Sequence, residues 1–455
     1  MKKRLFVTLL LAGLLFVAAP SPPALAQGFE PSFEEGMAAF NYGDNELALK
    51  HFLRLANEGE PRAQYYLAYM MDSGLGMGKD VYGASSWYKK SAAQNYLPAM
   101  VYLGYIYSAG HGVTQDDKQA FKWYTSAAQM GDPIAQNNLA TMLRAGRPYQ
   151  ADKKLAAQWF LQSAMQGNMR AQYNIATMYR TADGIGKNSS EALKWYTYAA
   201  NQGDMYAQYA LGYMYLTGRK DAEGKVTDQD REQALEWFRR AAEQGHTAAQ
   251  LAIARMYENG DGGPDKGIDD AVIWYMHAAE AGKGEAMRRL GLLYEGKITD
   301  WNKKGVTADY KQALKWLKKA AEEKDDKVAM IELGQMYAQG RGVNSDSQRA
   351  AKWYEYAAET GYADGMMLLA NAYREGFGVT KDPKLAYKWF LLAANAYKKV
   401  GDGDGMVTAV KNKTDIVKQL APYDKTNVEQ DIEMWRPTIH GGRTKKERPL
   451  FYDDN

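Results

Sequence analysis

The chain has no cysteine among its 455 residues. This absence excludes disulfide bonds and thiolate metal sites, and it argues against a lipid-modified start, so packing alone must hold the fold. The sequence also has little net charge. Its formal charge is +3, and removal of Lys2, Lys3 and Arg4 would leave it neutral. This balance gives no electrostatic reason to expect binding to nucleic acid or to a strongly anionic membrane.

Long apolar runs are scarce as well. One run, Leu5 to Ala19, follows the three cationic residues and precedes Ala24-Leu25-Ala26, which is an A-x-A cleavage pattern. We expect residues 1–26 to be a cleaved signal peptide and the mature chain to begin at Gln27 in the periplasm. An uncleaved anchor is the alternative, but the run is shorter than the roughly 20 apolar residues of a spanning helix. No later stretch reaches that length, so we expect no membrane insertion of the mature chain.

A regular repeat is the main feature that the sequence does have. Tryptophan recurs at intervals of 36 to 42 residues, which indicates a repeat array. An alanine lies three residues before each tryptophan, and Asp or Asn lies seven residues before it in every unit except at Gly267. Asp and Asn cap helix N-termini, so each tryptophan is predicted to lie in the second turn of a helix. These tryptophans are Trp87, Trp123, Trp159, Trp195, Trp237, Trp274, Trp316, Trp353 and Trp389.

A second helical pattern lies between successive tryptophan helices. A small residue is followed by Leu or Ile four residues later, Gly or Ala five residues later and usually Tyr eight residues later, as in Ala99, Leu103, Gly104 and Tyr107. Offsets of four and eight lie on one helical face. Glycines that end the preceding helix and glycine-rich loops that follow the pattern complete each unit.

These residues resemble the Sel-one-like repeat family, relatives of the tetratricopeptide repeats, whose pattern is A-x-x-x-L-G-x-x-Y, a G-x-G-V loop and D-x-x-x-A-x-x-W-Y-x-x-A-A. The resemblance covers nine repeats over residues 62–400, after a degenerate helix pair at 27–61. It implies an all-α fold, an α/α superhelical solenoid of stacked antiparallel helix pairs. We expect capping helices at 401–437 and a flexible tail at 438–455.

The resemblance also implies a concave groove lined by the first helix of each pair. In related repeats the groove-facing positions lie one residue before, two after and six after the small residue. Tyr and Arg are enriched in binding hot spots, and an ordinary solvated face of a tyrosine-rich protein is the alternative interpretation. The predicted partner-binding groove consists of Tyr65, Tyr69, Tyr105, Arg170, Tyr173, Tyr206, Tyr209, Tyr213, Arg255 and Arg288.

Two loops are longer than the others. Fifteen residues separate Tyr215 from Asp230 and Tyr294 from Asp309, where nine is the usual interval. Insertions in a repeat array project from one edge, so we predict a second contact edge there. Its proposed contact residues are Trp301, Lys303 and Lys304.

Two sets of side chains are predicted to pack the core. A methionine stands directly before the tyrosine position in six units, where it suits gap filling better than the gripping of a partner. The tryptophans recur where each helix faces its neighbour, so we expect them in the core as well. The methionines are Met70, Met142, Met178, Met214, Met256 and Met336.

No pattern in the sequence predicts a catalytic, cofactor or metal site. The five histidines lie in different units without metal-ligand spacing. The segment 184–187 has a glycine-rich start like a phosphate loop, but no Ser or Thr follows Lys187. Asp402 and Asp404 lack the third acid and the terminal Glu of a calcium loop, so we interpret this stretch as a glycine-rich hinge.

We therefore expect a non-enzymatic periplasmic scaffold or adaptor that binds a protein partner of the cell envelope. A binder of cell-wall glycan or peptide is an alternative, because a tyrosine-lined groove would suit it equally well. Some secreted members of the family are described as binding or slowly hydrolysing penicillin-type β-lactams. Those members carry paired cysteines in each repeat, which are absent here, as is an S-x-x-K motif accompanied by K-T-G.

Overall fold

The computed structural model describes residues 29–220, 226–227, 229–262, 267–299 and 305–437. The chain forms two compact units, residues 1–151 and residues 152–455. The first unit contains α1 (Phe33–Tyr42), α2 (Asn45–Asn57), α3 (Pro61–Ser73), α4 (Val81–Ala93), α5 (Leu97–Ala109), α6 (Asp117–Gln129) and α7 (Pro133–Ala145).

The second unit contains most of the repeats. Its elements begin with α8 (Lys153–Met165), α9 (Met169–Thr181), α10 (Ser189–Asn201), α11 (Met205–Thr217), β1 (Arg219–Lys220), β2 (Val226–Thr227), α12 (Arg231–Glu243), α13 (Thr247–Glu258), α14 (Ile268–Glu280) and α15 (Gly284–Tyr294). They continue with α16 (Tyr310–Lys324), α17 (Lys327–Gln339), α18 (Ser347–Glu359), α19 (Ala363–Glu375), α20 (Pro383–Val400), α21 (Gly403–Val417) and α22 (Pro422–Met434).

Consecutive helices within each unit are antiparallel and form stacked pairs, which confirms the predicted solenoid architecture. In the repeats, the odd-numbered helices α3 to α19 carry the small-residue pattern, and we name them A helices. The even-numbered helices α4 to α20 carry the tryptophans, and we name them B helices. The one departure from all-α structure among the described residues is the antiparallel pair β1–β2, within the first long loop. None of the described helices is long and apolar enough to cross a membrane.

The B helices begin at the predicted capping residues. Asp116 accepts the backbone N–H groups of Lys118 and Gln119 at 2.9 and 3.1 Å. At the exception, Gly267, the cap is reversed: the Asp270 carboxylate accepts the Gly267 N–H at 3.4 Å. Side-chain acceptors satisfy N–H groups that the first helical turn leaves without partners, so these residues fix where each B helix starts. The confirmed caps are Asp44, Asp80, Asp116, Asp152, Asn188, Asp230, Asp309, Asp346 and Asp382.

Small residues let the paired helices approach closely. The alanines three residues before the tryptophan position are 0–1% exposed. On the A helices, the glycine of the Leu-Gly pair receives a ring from the B helix: a Cβ at Gly104 would lie 2.5 Å from the Tyr124 ring, and one at Gly212 would lie 2.6 Å from Phe238. In these two repeats the residue after tryptophan packs where the A helix has no side chain, and in five other repeats an alanine takes the place of the glycine.

The prediction that every tryptophan belongs to the core is wrong in part. Trp195, Trp237, Trp316, Trp353 and Trp389 are buried, whereas the other four tryptophans of the series are half-buried. In eight of the nine units the following residue is more deeply buried than the tryptophan, which lies at the margin of the core, where a lysine can cover it. Lys90 Nζ lies 3.7 Å from the centroid of the Trp87 ring. The methionine prediction is confirmed at five positions, and Met214 is half-buried.

Neighbouring repeats are joined by a buried glutamine after the small residue of several A helices. Gln208 Nε2 donates to the carbonyl oxygen of Ala200, on the preceding B helix, at 3.1 Å. Gln244 Nε2 then donates to Gln208 Oε1 at 2.8 Å. Because both partners lie in adjacent helices, these bonds contribute to nearest-neighbour interfaces. The same glutamine-to-carbonyl bond is made by Gln64, Gln136, Gln172 and Gln250.

The C-terminal helices lie close to their predicted positions, but the interpretation of residues 401–405 as a hinge is wrong. Asp402 accepts the Gly405 N–H at 2.9 Å and caps α21, so this stretch begins a helix. The Trp389 and Trp435 rings lie 6.1 Å apart, at 82° to each other. Residues 1–26 and 438–455, for which we predict a signal peptide and a tail, lie outside the described residues.

Candidate partner-binding face

The A-helix face is the set of positions one before, two after and six after the small residue of each A helix. In the first unit it includes Tyr65 and Tyr69 on α3 and Tyr105 on α5. Ring contacts connect Tyr65 to Tyr105: Tyr65 lies 5.6 Å from Tyr88, Tyr88 lies 4.5 Å from Tyr102, and Tyr102 lies 5.5 Å from Tyr105. Tyr69 is joined to Tyr65 through the rings of Phe40 and Tyr66. The predicted tyrosines of this unit thus belong to one aromatic cluster.

The members of this cluster differ in exposure. Tyr69 and Tyr105 are exposed, whereas Tyr65 is half-buried and holds edge contacts with Tyr66, Tyr88 and Tyr96. Burial raises the pKa of the Tyr65 hydroxyl, with smaller contributions from neighbouring tyrosines. Tyr65 therefore stays a neutral hydroxyl, and Tyr69 and Tyr105 present ring surface to solvent.

A buried carboxylate lies beside the aromatic cluster. Asp72 accepts the hydroxyl of Tyr102 at 2.6 Å, and its other oxygen lies 2.6 Å from His111 Nε2. These contacts tie α3 to α5 and to the loop after α5. A buried charge is tolerated when it is paired and hydrogen-bonded. The bond to Asp72 also fixes the position of Tyr102, whose ring contacts the exposed Tyr105. This hydrogen-bonded network could not be predicted from the repeat register, because Asp72 stands outside the three positions of the A-helix face.

In the second unit a histidine joins the predicted tyrosines. The Tyr173 and Tyr206 rings lie 6.2 Å apart, and His246 lies 5.3 Å from Tyr206 and 4.6 Å from Tyr209. Tyr206 is exposed, whereas Tyr173 and Tyr209 are half-buried. His246 could not be predicted from the three positions of the A-helix face, because it lies one residue before α13 begins and is neither tyrosine nor arginine.

The two predicted arginines of α13 and α15 are already paired. Arg255 contacts the carboxylate of Glu285, on the next A helix. Arg288 Nε donates at 3.0 Å to Asp326, whose other oxygen caps α17. These guanidinium groups therefore link neighbouring repeats. Only the N–H donors that do not contact Glu285 or Asp326 remain for a partner protein.

Tyr213 and Arg170 remain exposed on α11 and α9. Burial raises the pKa of Asp204, which caps α11, and the positive charge of Arg170 opposes that rise. The structure thus brings six of the ten predicted residues into two aromatic groups, one in each unit. Tyr213, Arg170, Arg255 and Arg288 lie on the A-helix face without a ring contact in either group.

The predicted edge residues Trp301, Lys303 and Lys304 lie outside the described residues. The described start of their loop carries a buried charge cluster. Burial raises the pKa of the Glu295 carboxyl, while the positive charges of Lys297 and Arg341 lower it. Lys297 also contacts Glu332 on α17. Ion pairs therefore hold the described start of this loop against α17 of the next repeat.

A cavity of about 440 Å³ opens on the A-helix face between α17 and α19. Applied to Ala329 and Gly365 as the small residues, the face rule selects six of its ten lining residues: Val328, Ile331, Gln335, Asp364, Met367 and Asn371. Glu332, Leu368, Tyr362 and Tyr397 complete the lining. These six positions could be predicted from the repeat register, but none of them is a tyrosine or an arginine, so residue type gave no signal for the cavity.

The polar groups of the cavity are two carboxylates, two amides and two phenol hydroxyls. Tyr397 donates its hydroxyl to Asp364. Burial raises the pKa of Tyr362, and the negative charge of Asp364 adds to the rise. Within the described part of the chain, no group of three or more His, Asp or Glu side chains could hold a metal ion. The carboxylate and amide oxygens of the lining can accept hydrogen bonds from a ligand.

Comparison with known proteins agrees with this architecture. The Sel1 repeat family matches the chain at residues 61–96, 97–132, 133–168, 170–204, 206–246, 247–283, 284–325, 327–362 and 363–397. No curated protein matches it.

Two solved structures are similar to this chain. One is c5321, a protective antigen present in uropathogenic Escherichia coli strains and displaying an SLR fold, with 29% identity over 89% of this chain and 84% of that one and a TM-score of 0.67. The other is a Sel1 repeat protein from Oxalobacter formigenes, with 31% identity over 55% of this chain and 100% of that one and a TM-score of 0.49. The chain belongs to the Sel1 repeat family.

Proposed function

We propose that this chain is a non-enzymatic scaffold of the bacterial periplasm that holds a protein partner of the cell envelope on its A-helix face. The Sel1 repeat solenoid is typical of protein–protein interaction scaffolds. The observation that carries the proposal is the pair of aromatic groups, around Tyr105 and around Tyr206, each of which keeps an exposed ring on the A-helix face. Exposed tyrosines on a rigid support are frequent anchors of binding interfaces.

The periplasmic location is supported by the N-terminal sequence. Three cationic residues, a short apolar run and Ala24-Leu25-Ala26 form the pattern of a cleaved export signal. Intact-mass analysis of the protein released by osmotic shock tests this location. A mature mass that begins at Gln27 supports it, and recovery in membranes with residues 1–26 attached contradicts it.

Photo-cross-linking in cells tests the binding face. An unnatural photoreactive residue is placed at Tyr105 or at Tyr206, and matched controls carry it at Tyr82 on α4 and Tyr198 on α10, which are exposed tyrosines of B helices. We expect the same envelope protein to be captured from Tyr105, from Tyr206 or from both, and not from either control.

The glycan-binding alternative makes a different prediction in the same experiment. Capture of saccharide without protein at the A-helix positions would favour a cell-wall binder. Equal protein capture at all four positions would contradict a specific face.

A further inference from the structure

The cavity between α17 and α19 combines an apolar floor with polar walls. Ile331 is buried, and Met367 and Leu368 are half-buried and pack against the core. The volume of about 440 Å³ lies within the range of about 300–1,000 Å³ that is usual for ligand pockets. The apolar floor therefore accommodates an aliphatic chain. The charge and the hydrogen-bonding groups of the walls determine which polar group that chain can carry at its end.

The charge of the walls is negative. Two carboxylates line the cavity, and no cationic side chain does. Glu332 is neutralised at one edge by Lys297. Among the described residues Asp364 has no cationic partner, and its carboxylate accepts hydrogen bonds from the hydroxyls of Tyr397 and Tyr362. Arg288, whose positive charge opposes the rise that burial causes in the pKa of Tyr362, is itself paired with Asp326. Asp364 thus leaves the cavity with an uncompensated negative charge.

A second polar group lacks a partner. Asn371 Oδ1 is buried and accepts no hydrogen bond from any described residue. A buried acceptor without a donor destabilises the folded state, because it has lost its hydrogen bonds to water. Asn371 stands six residues after Gly365, so its side chain belongs to the same face register as Asp364. A ligand that brings several N–H donors would satisfy Asn371 and Asp364 together.

We propose that this cavity binds a lysine or arginine side chain of the partner protein. The proposal rests on the proposed scaffold function and names the chemistry of one contact. Lysine and arginine bury an aliphatic stem while their charged end keeps polar partners, which matches an apolar floor below Asp364 and Asn371. The rings of Tyr362 and Tyr397 stand in the same lining, and aromatic rings attract such cations.

The chain itself contains a competing basic segment. Arg443, Lys445, Lys446 and Arg448 follow Pro437, and Pro437 lies beside Gly361, the neighbour of Tyr362. The experiment therefore compares the full chain with a variant that ends at Pro437. Binding by the full chain assigns the cavity to a partner, whereas binding by the truncated variant alone would overturn that assignment.

The probes are dye-labelled heptapeptides with a fixed central residue and with Ala, Leu or Ser at the other positions. The central residue is lysine, arginine, norleucine or glutamate, and binding is followed by fluorescence anisotropy. We expect lysine and arginine peptides to bind at least ten-fold more tightly than norleucine and glutamate peptides. Asp364→Asn should reduce this preference at least ten-fold, whereas Glu375→Gln, the same charge change at an exposed site of α19, should leave it intact.

A second variant separates binding from folding. Asn371→Leu removes the unpartnered acceptor, so it should keep the melting temperature and weaken binding of the lysine peptide about ten-fold. Equal binding of all four peptides, or a preference that survives both Asp364→Asn and Asn371→Leu, overturns the proposal. Cross-linking from Tyr105 and Tyr206 tests the scaffold function at other helices, so the two failures are distinguishable.

Discussion

The imidazole of His246 packs against the ring of Tyr209 at a tilt of 30°, with centroids 4.6 Å apart, while its Nδ1 accepts the backbone N–H of Ala249 at 3.2 Å. One side chain therefore caps α13 and supports a predicted binding tyrosine. The cap requires an unprotonated Nδ1, because a doubly protonated ring has no acceptor. The A-helix face of the second unit is thus coupled to the protonation of His246.

The first prediction is a loss of stability in mild acid. Burial lowers the pKa of His246, and Lys283 lowers it further, against a rise from its own backbone hydrogen bond. The unfolded chain therefore takes up this proton at a higher pH than the folded chain. The stabilisation is complete above about pH 6.5, the ordinary pKa of histidine, and is lost as the pH falls towards the folded pKa.

Denaturant unfolding at several pH values between 8 and 5 checks this prediction. The variant His246→Asn keeps a capping side chain but does not titrate, so its stability should fall less steeply with pH. Burial also lowers the pKa of His51, which remains in both proteins and provides the common background. Identical pH dependence of the two proteins would show that His246 is not coupled to folding.

The second prediction concerns which ring of the Trp-aromatic pair stabilises a repeat. Phe238, directly after Trp237, is fully buried against Gly212, so Phe238→Ala should lower the free energy of unfolding by about 3–5 kcal/mol. Trp159 is half-buried, and Trp159→Ala should cost clearly less. Urea titration of both variants measures the difference. A larger loss for Trp159→Ala would show that the tryptophan is the main packing residue.

The third prediction explains the second glycine of the G-x-G loops. Gly378 has φ +68°, and a Cβ there would overlap the carbonyl oxygen of Ser347, at the start of the preceding B helix. Gly203 has φ +98° but open space around it. Both alanine variants carry the strain of a positive φ, on the order of 1–3 kcal/mol.

Gly378→Ala adds an overpacking cost of about 1–3 kcal/mol, so it should melt well below Gly203→Ala. Thermal unfolding followed by circular dichroism makes the comparison. Equal melting temperatures would mean that the loop does not need close contact with the neighbouring repeat.

The fourth prediction concerns the long loop before α16. Deleting residues 299–304 restores the usual nine-residue interval and keeps Lys297, which pairs with Glu332, and Ile298, which packs against the core. Loop length alone changes stability by only about 0.6 kcal/mol per doubling, so the melting temperature should stay nearly constant. Partner capture should fall if Trp301 and the two lysines form a contact edge. A large drop in melting temperature would instead make Trp301 a packing residue.

Local features of the fold could be predicted from the sequence because local interactions cause them. Each capping residue acts within its own first turn, so Asp116 or Asp382 marks a helix start without knowledge of any neighbour. The depth of each tryptophan could not be predicted in the same way. It depends on packing between helices that are distant in sequence: Trp123 stays half-buried although the next ring, Tyr124, packs over Gly104, whereas Trp195 is buried.

In the candidate site, too, the features set by local sequence could be predicted, and those set by contacts between distant residues could not. The register of the A helices predicted which positions share a face, and those positions include six residues of the cavity. Residue type alone did not show which side chains are available, because Arg255 and Arg288 are committed to acids on the next repeat. Such pairs join residues about 30 to 38 positions apart, beyond the reach of a local pattern.

The most direct test of the A-helix face is the dissociation constant of the cross-linked partner for a double variant, Tyr206→Ala with Tyr213→Ala. These tyrosines are 51% and 50% exposed, so their truncation should cost less packing than that of the half-buried Tyr173 and Tyr209. Loss of a hot spot costs at least about 2 kcal/mol, so binding should weaken about 30-fold or more, while Tyr82→Ala, at a 76% exposed B-helix site, leaves it unchanged. A folded double variant that binds its partner like the parent chain would contradict the A-helix face as the binding surface.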